Sequence, residues 1–209
     1  TADITALEIN GSFTADNNIY DHDTSATVLT LPLSGAPKDD LGKVDLTGGT
    51  ASFDNKNVGA DKTVTLAGAT ISGTESANYI VTGVAATTAG VTAREIDGSF
   101  TASNKVYDGN TSATVLTRLL NGVLTDDLGK VELTGGTASF DNKNVGTDKT
   151  VTLAGATISG TESANYILTG VAASTADITA LEINGSFTAD NKIYDGNTSA
   201  TVLTLSLNG

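Results

Sequence analysis

A period of 87 residues runs through this 209-residue chain and limits its possible folds more than any other feature of the sequence. Tyr20, Tyr107 and Tyr194 fall 87 apart, as do Phe13, Phe100 and Phe187. The pairs Tyr79/Tyr166 and Phe53/Phe140 repeat the offset, so every aromatic residue belongs to one lattice. Residues 1–87 lie on 88–174 without a gap, 68 of the 87 positions are identical (about 78%), and residues 61–80 recur unchanged as 148–167. Positions of every character match equally well, which is the mark of recent duplication rather than of selection on a site. Solenoid coils of about 20–50 residues cannot stand alone, whereas 87 residues falls in the size range of an independent small domain. The period therefore predicts beads on a string.

Within one copy, short apolar runs cover residues 4–9, 26–33, 43–46, 50–53, 63–66, 69–72 and 79–84, separated by Gly, Asn and Asp. Their partial alternation is that of half-buried strands, and no window holds a 3.6-residue period over three turns. About seven strands in such a length predict an all-β chain of tandem immunoglobulin-like β-sandwich repeats. Residues 1–4 read as the end of a preceding repeat, 5–91 and 92–178 as two sandwich repeats, and 179–209 as an incomplete third. Phe13, Tyr20, Phe53 and Tyr79 are expected in one core, and their counterparts in a second, separate one. The joints, residues 1–6, 88–93 and 175–180, are expected to run extended from one copy into the next. Half a sandwich leaves an apolar face and strand edges open, so Ile183, Phe187, Tyr194, Val202 and Leu203 are expected to pack against a longer array or a neighbouring molecule.

Composition supports the β reading and narrows the partners. The chain is rich in Gly and Thr and contains no Cys, Met or Trp, so it has no disulfide framework, thiol nucleophile or Cys-based metal site. A formal net charge of −13 repels nucleic-acid phosphates and anionic membrane surfaces alike. Pairs such as Asp39-Asp40 and Asp126-Asp127 are expected to solvate the surface. No apolar run approaches the roughly 18 residues of a membrane span. The least alike stretch, residues 31–38 against 118–125, reads as a strand end entering a surface loop.

Three copies of one motif stand out: Asn18-Ile-Tyr-Asp-His22, Lys105-Val-Tyr-Asp-Gly109 and Lys192-Ile-Tyr-Asp-Gly196. The Asp-Gly step suits a tight turn, and the adjacent tyrosine is expected to bury its ring and keep its hydroxyl on a backbone partner. His22 takes the glycine position and is expected to tolerate a left-handed backbone there. Asp54-Asn-Lys-Asn57, Asp141-Asn-Lys-Asn144, Asp21 with Asp23 and the Asp39-Asp40 pair bring oxygen ligands close together, which raises calcium. Hard cations take about six to eight oxygens, and the EF-hand order is missing, so Asx turns explain these clusters with fewer assumptions. The pairs Thr63/Thr65 and Thr150/Thr152 are too short for a flat threonine array and read as half-buried strand residues. Lys43, Lys56 and Lys62 recur as Lys130, Lys143 and Lys149 among Asn and Asp residues, which makes an internal Lys–Asn crosslink conceivable. No phosphate loop, nucleophile elbow or recurring histidine is found. The chain is thus expected not to be an enzyme, with no catalytic, cofactor-binding or metal-ligating residue assigned.

Taken together, Lys105-Val-Tyr-Asp-Gly109, Gly136-Thr-Ala-Ser-Phe-Asp-Asn-Lys-Asn-Val-Gly146, Leu153-Ala-Gly-Ala-Thr-Ile-Ser-Gly160, Asn165-Tyr-Ile167 and Thr175-Ala-Asp-Ile178 resemble the YDG and related glycine-rich β repeats of giant bacterial adhesins of the filamentous-haemagglutinin type. The pieces keep their order in each full copy. The sequence departs at Ala6, Ala93 and Ala180, where the family often carries proline, and at His22. The resemblance implies secretion to the bacterial surface or beyond and a stalk or spacer role, with neighbouring repeats of the same protein as partners. Two further readings stay open: a self-assembling extracellular filament completed by other copies of the chain, and a calcium- or glycan-binding surface module.

Overall fold

The computed structural model describes residues 2–209; Thr1, which opens the first joint, lies outside them. Every regular element among the described residues is a strand or a one-turn 3-10 helix. The first copy supplies β1 (Leu7–Gly11), β2 (Thr14–Ala15), β3 (Asn18–Ile19), β4 (Ser25–Ala26), β5 (Val28–Thr30), β6 (Leu33–Ser34), β7 (Asp45–Phe53), β8 (Gly59–Ser72), β9 (Tyr79–Val84) and β10 (Thr87–Thr92). The second supplies β11 (Arg94–Ala102), β12 (Lys105–Val106), β13 (Val115–Asn121), β14 (Glu132–Phe140), β15 (Gly146–Ser159), β16 (Tyr166–Val171) and β17 (Ser174–Thr179). The remainder holds β18 (Asn184–Ala189) and β19 (Val202–Asn208).

Two strands are longer than the apolar runs predict. Gly48, Gly49 and Gly68 do not separate strands; β7 and β8 pass straight through them as one antiparallel hairpin. Gly48 faces Ala69 and Thr50 faces Ala67, so Gly49 and Gly68 stand opposite each other in the ladder. Both have positive φ, 90° and 73°. The ladder keeps one register on both sides of this pair. A Cβ on Gly49 would lie 2.9 Å from Leu66 Cδ1 and 3.1 Å from the Ala67 carbonyl oxygen, so glycine alone fits that close approach.

The chain divides into two compact units whose limits are not those of the repeat. The first comprises Thr1–Gly98, Leu120–Thr134 and Thr157–Gly170; the second comprises Ser99–Leu119, Gly135–Ala156 and Val171–Gly209. Sequence copy and packing unit are therefore out of phase, the divisions falling inside β11, β13, β14, β15 and β16 rather than at residues 91/92.

In the first unit, β1 pairs antiparallel with β6 and parallel with β9, while β10 pairs antiparallel with β8 and parallel with β3 in a five-stranded sheet of order β3-β10-β8-β7-β4. The joint at residues 88–93 is extended as expected, but it is a strand inside a sheet, with Ala89 and Val91 buried, and not a free linker. The cores also sort differently from the sequence expectation. Phe13, Tyr20 and Phe53 share a cluster with Val64, Ala89 and Val91, and Ile96, Val131 and Tyr166 of the second copy belong to the same cluster. Tyr79 lies instead in a small cluster with Ile9 and Val44. One core per copy is thus corrected: the larger sheet of the first copy buries its aromatic residues against Ile96, Val131 and Tyr166 of the second.

In the second unit, Phe100, Ala138, Phe140, Val151, Leu153, Ala176 and Ile178 form the core, with Tyr107 packed at its side. β18 and β19 form an antiparallel hairpin, every residue of which is exposed. Of the residues expected to need an outside partner, Phe187 is 66% exposed and Tyr194 93%, and Ile183, Val202 and Leu203 are exposed as well.

Candidate functional site

The densest polar arrangement in the first unit lies where residues of the first copy meet residues of the second. Tyr20 follows β3, and Lys56 sits in the loop between β7 and β8. Asp127 closes the 3-10 turn Thr125–Asp127, Glu162 precedes the turn Ser163–Asn165, and Tyr166 opens β16. Short turns place these acidic groups because the backbone must reverse there. The reversal aims each side chain back at the preceding copy.

Asp127 is the centre, with no exposed surface. Its Oδ2 accepts hydrogen bonds from Tyr20 Oη at 2.8 Å and Tyr166 Oη at 2.7 Å. Tyr166 Oη in turn accepts the Leu124 N–H at 3.2 Å. The two rings meet edge to face, with centroids 5.4 Å apart. Oδ1 accepts no hydrogen bond of good geometry; what faces it is His22 Nδ1 at 2.9 Å and Lys56 Nζ at 3.9 Å. Lys56 also pairs with Glu162 Oε1 at 3.1 Å, and Asn165 donates to Glu162 Oε2 at 2.9 Å. Asn165 completes the joint through its Oδ1, which accepts the Val58 N–H at 2.9 Å.

Burial opposes ionisation of Asp127, but the two tyrosine hydroxyls and the nearby His22 and Lys56 outweigh it and hold its carboxyl below the usual carboxylate range. Glu162 is held low in the same way, burial being overcome chiefly by Lys56. Burial first, and then the bond to Asp127, push Tyr166 up to about 12 and raise Tyr20 further still. The carboxylates are anionic acceptors and the tyrosines neutral donors over the whole ordinary pH range. Such groups hold their protons, and the arrangement is fitted for cohesion between copies.

The sequence places several of these residues correctly and misplaces others. Tyr20 is fully buried as expected, but its hydroxyl is on a carboxylate rather than a backbone group, a correction that follows from the arrival of Asp127 from the second copy. His22 has φ 71°, matching Gly109 and Gly196 at 81° and 83°, and it also contacts Asp127, which sequence reasoning missed. Asp127, expected to solvate the surface with Asp126, is buried instead. Glu162 carried no sequence signal and Asn165 only that of the motif Asn165-Tyr-Ile167; both are identical to Glu75 and Asn78, which among the described residues face no such partner.

The other polar clusters are local. Asp54 and Asn55 side chains accept the N–H groups of Asn55 and Asn57, and Asp21 and Asp23 accept those of Asp23 and Ser25, as Asx turns do. Among the described residues, no three His, Cys, Asp or Glu side chains come together to hold a metal ion. Lys62 Nζ lies 2.6 Å from Asn55 Oδ1 and 2.8 Å from Asp54 Oδ1, and Lys149 repeats the contacts with Asn142 and Asp141. The bond from Lys62 holds the Asp54 carboxyl below its ordinary range. Each lysine is thus ion-paired with the aspartate beside it.

The sequence model of the YDG domain matches residues 5–89 and again 92–176, and the chain belongs to that family as two tandem copies. No curated protein and no solved structure matches the chain.

Proposed function

We propose that this tandem YDG chain is a non-catalytic spacer, part of the stalk of a long extracellular bacterial surface protein. The observation that carries the proposal is the joint: the polar residues that the first copy and the second bring together are spent on binding one copy to the other. Tyr20 and Lys56 on one side, and Asp127, Glu162 and Tyr166 on the other, build a largely buried contact instead of an open cleft. A repeated module whose specialised chemistry lies at its junctions suits transmission of force or length. The glycan- and calcium-binding readings find less support, because the aromatic residues of the two full copies are taken up by cores.

Negative-stain imaging of cells that make the protein, labelled with an antibody to the repeat, tests the proposal. Thin projections bearing label along their length are expected. Label confined to the cell interior would sink it, and label on ordered fibres of many chains would favour the filament reading.

A further inference from the structure

The turn that follows Tyr107 is built around a lysine ammonium. Lys105 Nζ lies among four oxygens: Asp108 Oδ1 at 2.7 Å, the Asn110 carbonyl at 2.9 Å, Asn110 Oδ1 at 3.0 Å and the Ser112 carbonyl at 3.1 Å. The turn after Tyr194 repeats the cage. Lys192 Nζ lies 2.7 Å from Asp195 Oδ1, 2.6 Å from Asn197 Oδ1, and 3.3 and 3.1 Å from the Asn197 and Ser199 carbonyls. The same loop thus holds a cation in oxygen twice over.

Over residues 18–25 the first copy departs from both others at three positions: Asn18 for Lys105 and Lys192, His22 for Gly109 and Gly196, and Asp23 for Asn110 and Asn197. His22 is turned to Asp127 in the joint. The other two changes act together on the cage, one removing the ammonium and the other adding a carboxylate. The formal charge of the turn goes from 0 over residues 105–112 to −2 over residues 18–25, His being neutral. Among the described residues no lysine or arginine pairs with Asp21 or Asp23. The frame is nevertheless kept. Asp21 Oδ1 accepts the Asp23 N–H at 3.0 Å as Asp108 Oδ1 accepts that of Asn110 at 3.1 Å, and Asp23 Oδ1 accepts the Ser25 N–H at 3.0 Å as Asn110 Oδ1 accepts that of Ser112 at 2.9 Å. Ser25 faces Ser52 as Ser112 faces Ser139, and the neighbouring bonds from Phe53 to Thr24 and from Phe140 to Thr111 have the same phase, so the Ser25 carbonyl takes the direction of Ser112's. The Asn18 amide reaches this frame too, bonded to Asp21 Oδ2 at 3.0 Å.

We propose that the turn of residues 18–25 binds a calcium ion where its counterparts hold the lysine ammonium. The protein supplies the carboxylates of Asp21 and Asp23, the carbonyl oxygens of Asp23 and Ser25, and the amide oxygen of Asn18, which a half-turn of the amide brings to the ion. Water completes the roughly six to eight oxygens that calcium takes. Two carboxylates balance a divalent ion as Asp108 alone balances one ammonium. An ion that binds the folded turn and not the unfolded chain stabilises the fold by mass action. Such an ion fastens a turn, so the proposal goes beyond the spacer reading and stands without it.

Isothermal titration of calcium chloride into the polypeptide of residues 1–209, with thermal melts in calcium and in chelator, tests the proposal. One ion per chain is expected, together with a higher melting temperature in calcium. Asn18→Lys combined with Asp23→Asn gives the first copy the lysine cage of the second. That variant should lose both the binding and the calcium-dependent shift, and in chelator it should melt no lower than the parent. The reverse exchange, Lys105→Asn with Asn110→Asp, should raise the count to two ions. Absence of heat and of any shift at millimolar calcium overturns the proposal. So does binding that survives Asn18→Lys with Asp23→Asn, or a count that the reverse exchange leaves unchanged.

Discussion

Tyr20 and Tyr166 come from different copies of the repeat, yet both hydroxyls donate to the same oxygen of Asp127, at 2.8 and 2.7 Å. Either bond alone leaves that oxygen satisfied, and losing both strands it in the core. Tyr20→Phe should cost about 1–2 kcal/mol and Tyr166→Phe about 2–3 kcal/mol, the larger value because the Leu124 N–H then also loses its acceptor. The double variant should be less stable than the sum of the two. Urea titrations of the four proteins provide the cycle that measures this coupling.

Stability should fall away at both ends of the pH scale. Asp127 and Glu162 ionise at lower pH in the folded chain than in the unfolded one, so their contribution is present above the ordinary carboxylate value of about 4 and is lost as pH falls through the folded values. Tyr20 and Tyr166 are raised, so theirs is present below the ordinary 10.0 and is lost as pH climbs from there toward about 12. The urea midpoint followed against pH should show both limbs. Asp127→Asn should flatten the acid limb and Tyr166→Phe the alkaline one.

His22 combines a left-handed backbone with a contact to Asp127. His22→Ala loses the contact and keeps the strain, whereas His22→Gly loses the contact and relieves the strain. The alanine variant should therefore be the less stable of the two by about 1 kcal/mol. Thermal melts of the pair decide it; equal stability would mean that the φ of 71° costs nothing.

Gly73 has φ 117°, and a Cβ there would lie 2.2 Å from the Lys43 carbonyl oxygen, a backbone atom that cannot turn aside. At Gly68, φ is 73° and the space is open. Gly73→Ala should cost more than about 3 kcal/mol, and Gly68→Ala about 1 kcal/mol. Chemical denaturation should separate the two variants clearly.

The mass of a polypeptide of residues 1–209 should equal that of its sequence. Loss of ammonia, at either Lys62 with Asn55 or Lys149 with Asn142, would show that the ion pairs described above have gone on to an amide bond.

The parts of the fold that were legible in the sequence are those set by local pattern. The copies, the β character and the burial of Phe13, Tyr20 and Phe53 follow from spacing and alternation. Glycine misled at Gly49 and Gly68, because the same residue that ends a strand also takes a left-handed backbone in the middle of one, and only the facing strand distinguishes the two. The joint was illegible for a different reason. Asp40 and Asp127 occupy the same position of the repeat, each bonded to its own tyrosine, yet among the described residues only Asp127 is buried against another copy. Burial there belongs to the order of copies along the chain, and no property of one copy encodes it.

The offset between repeat and packing unit bears on how such a gene changes length. The tyrosines, lysines and acidic residues of the joint recur with the period of the sequence, so unequal crossing-over that inserts or removes 87 residues, wherever the breakpoints fall, keeps both sides of a joint at their proper spacing. Recombination can lengthen or shorten the array by whole steps, while a fragment trimmed at residues 91/92 would strip Tyr20 of the residues that bury it.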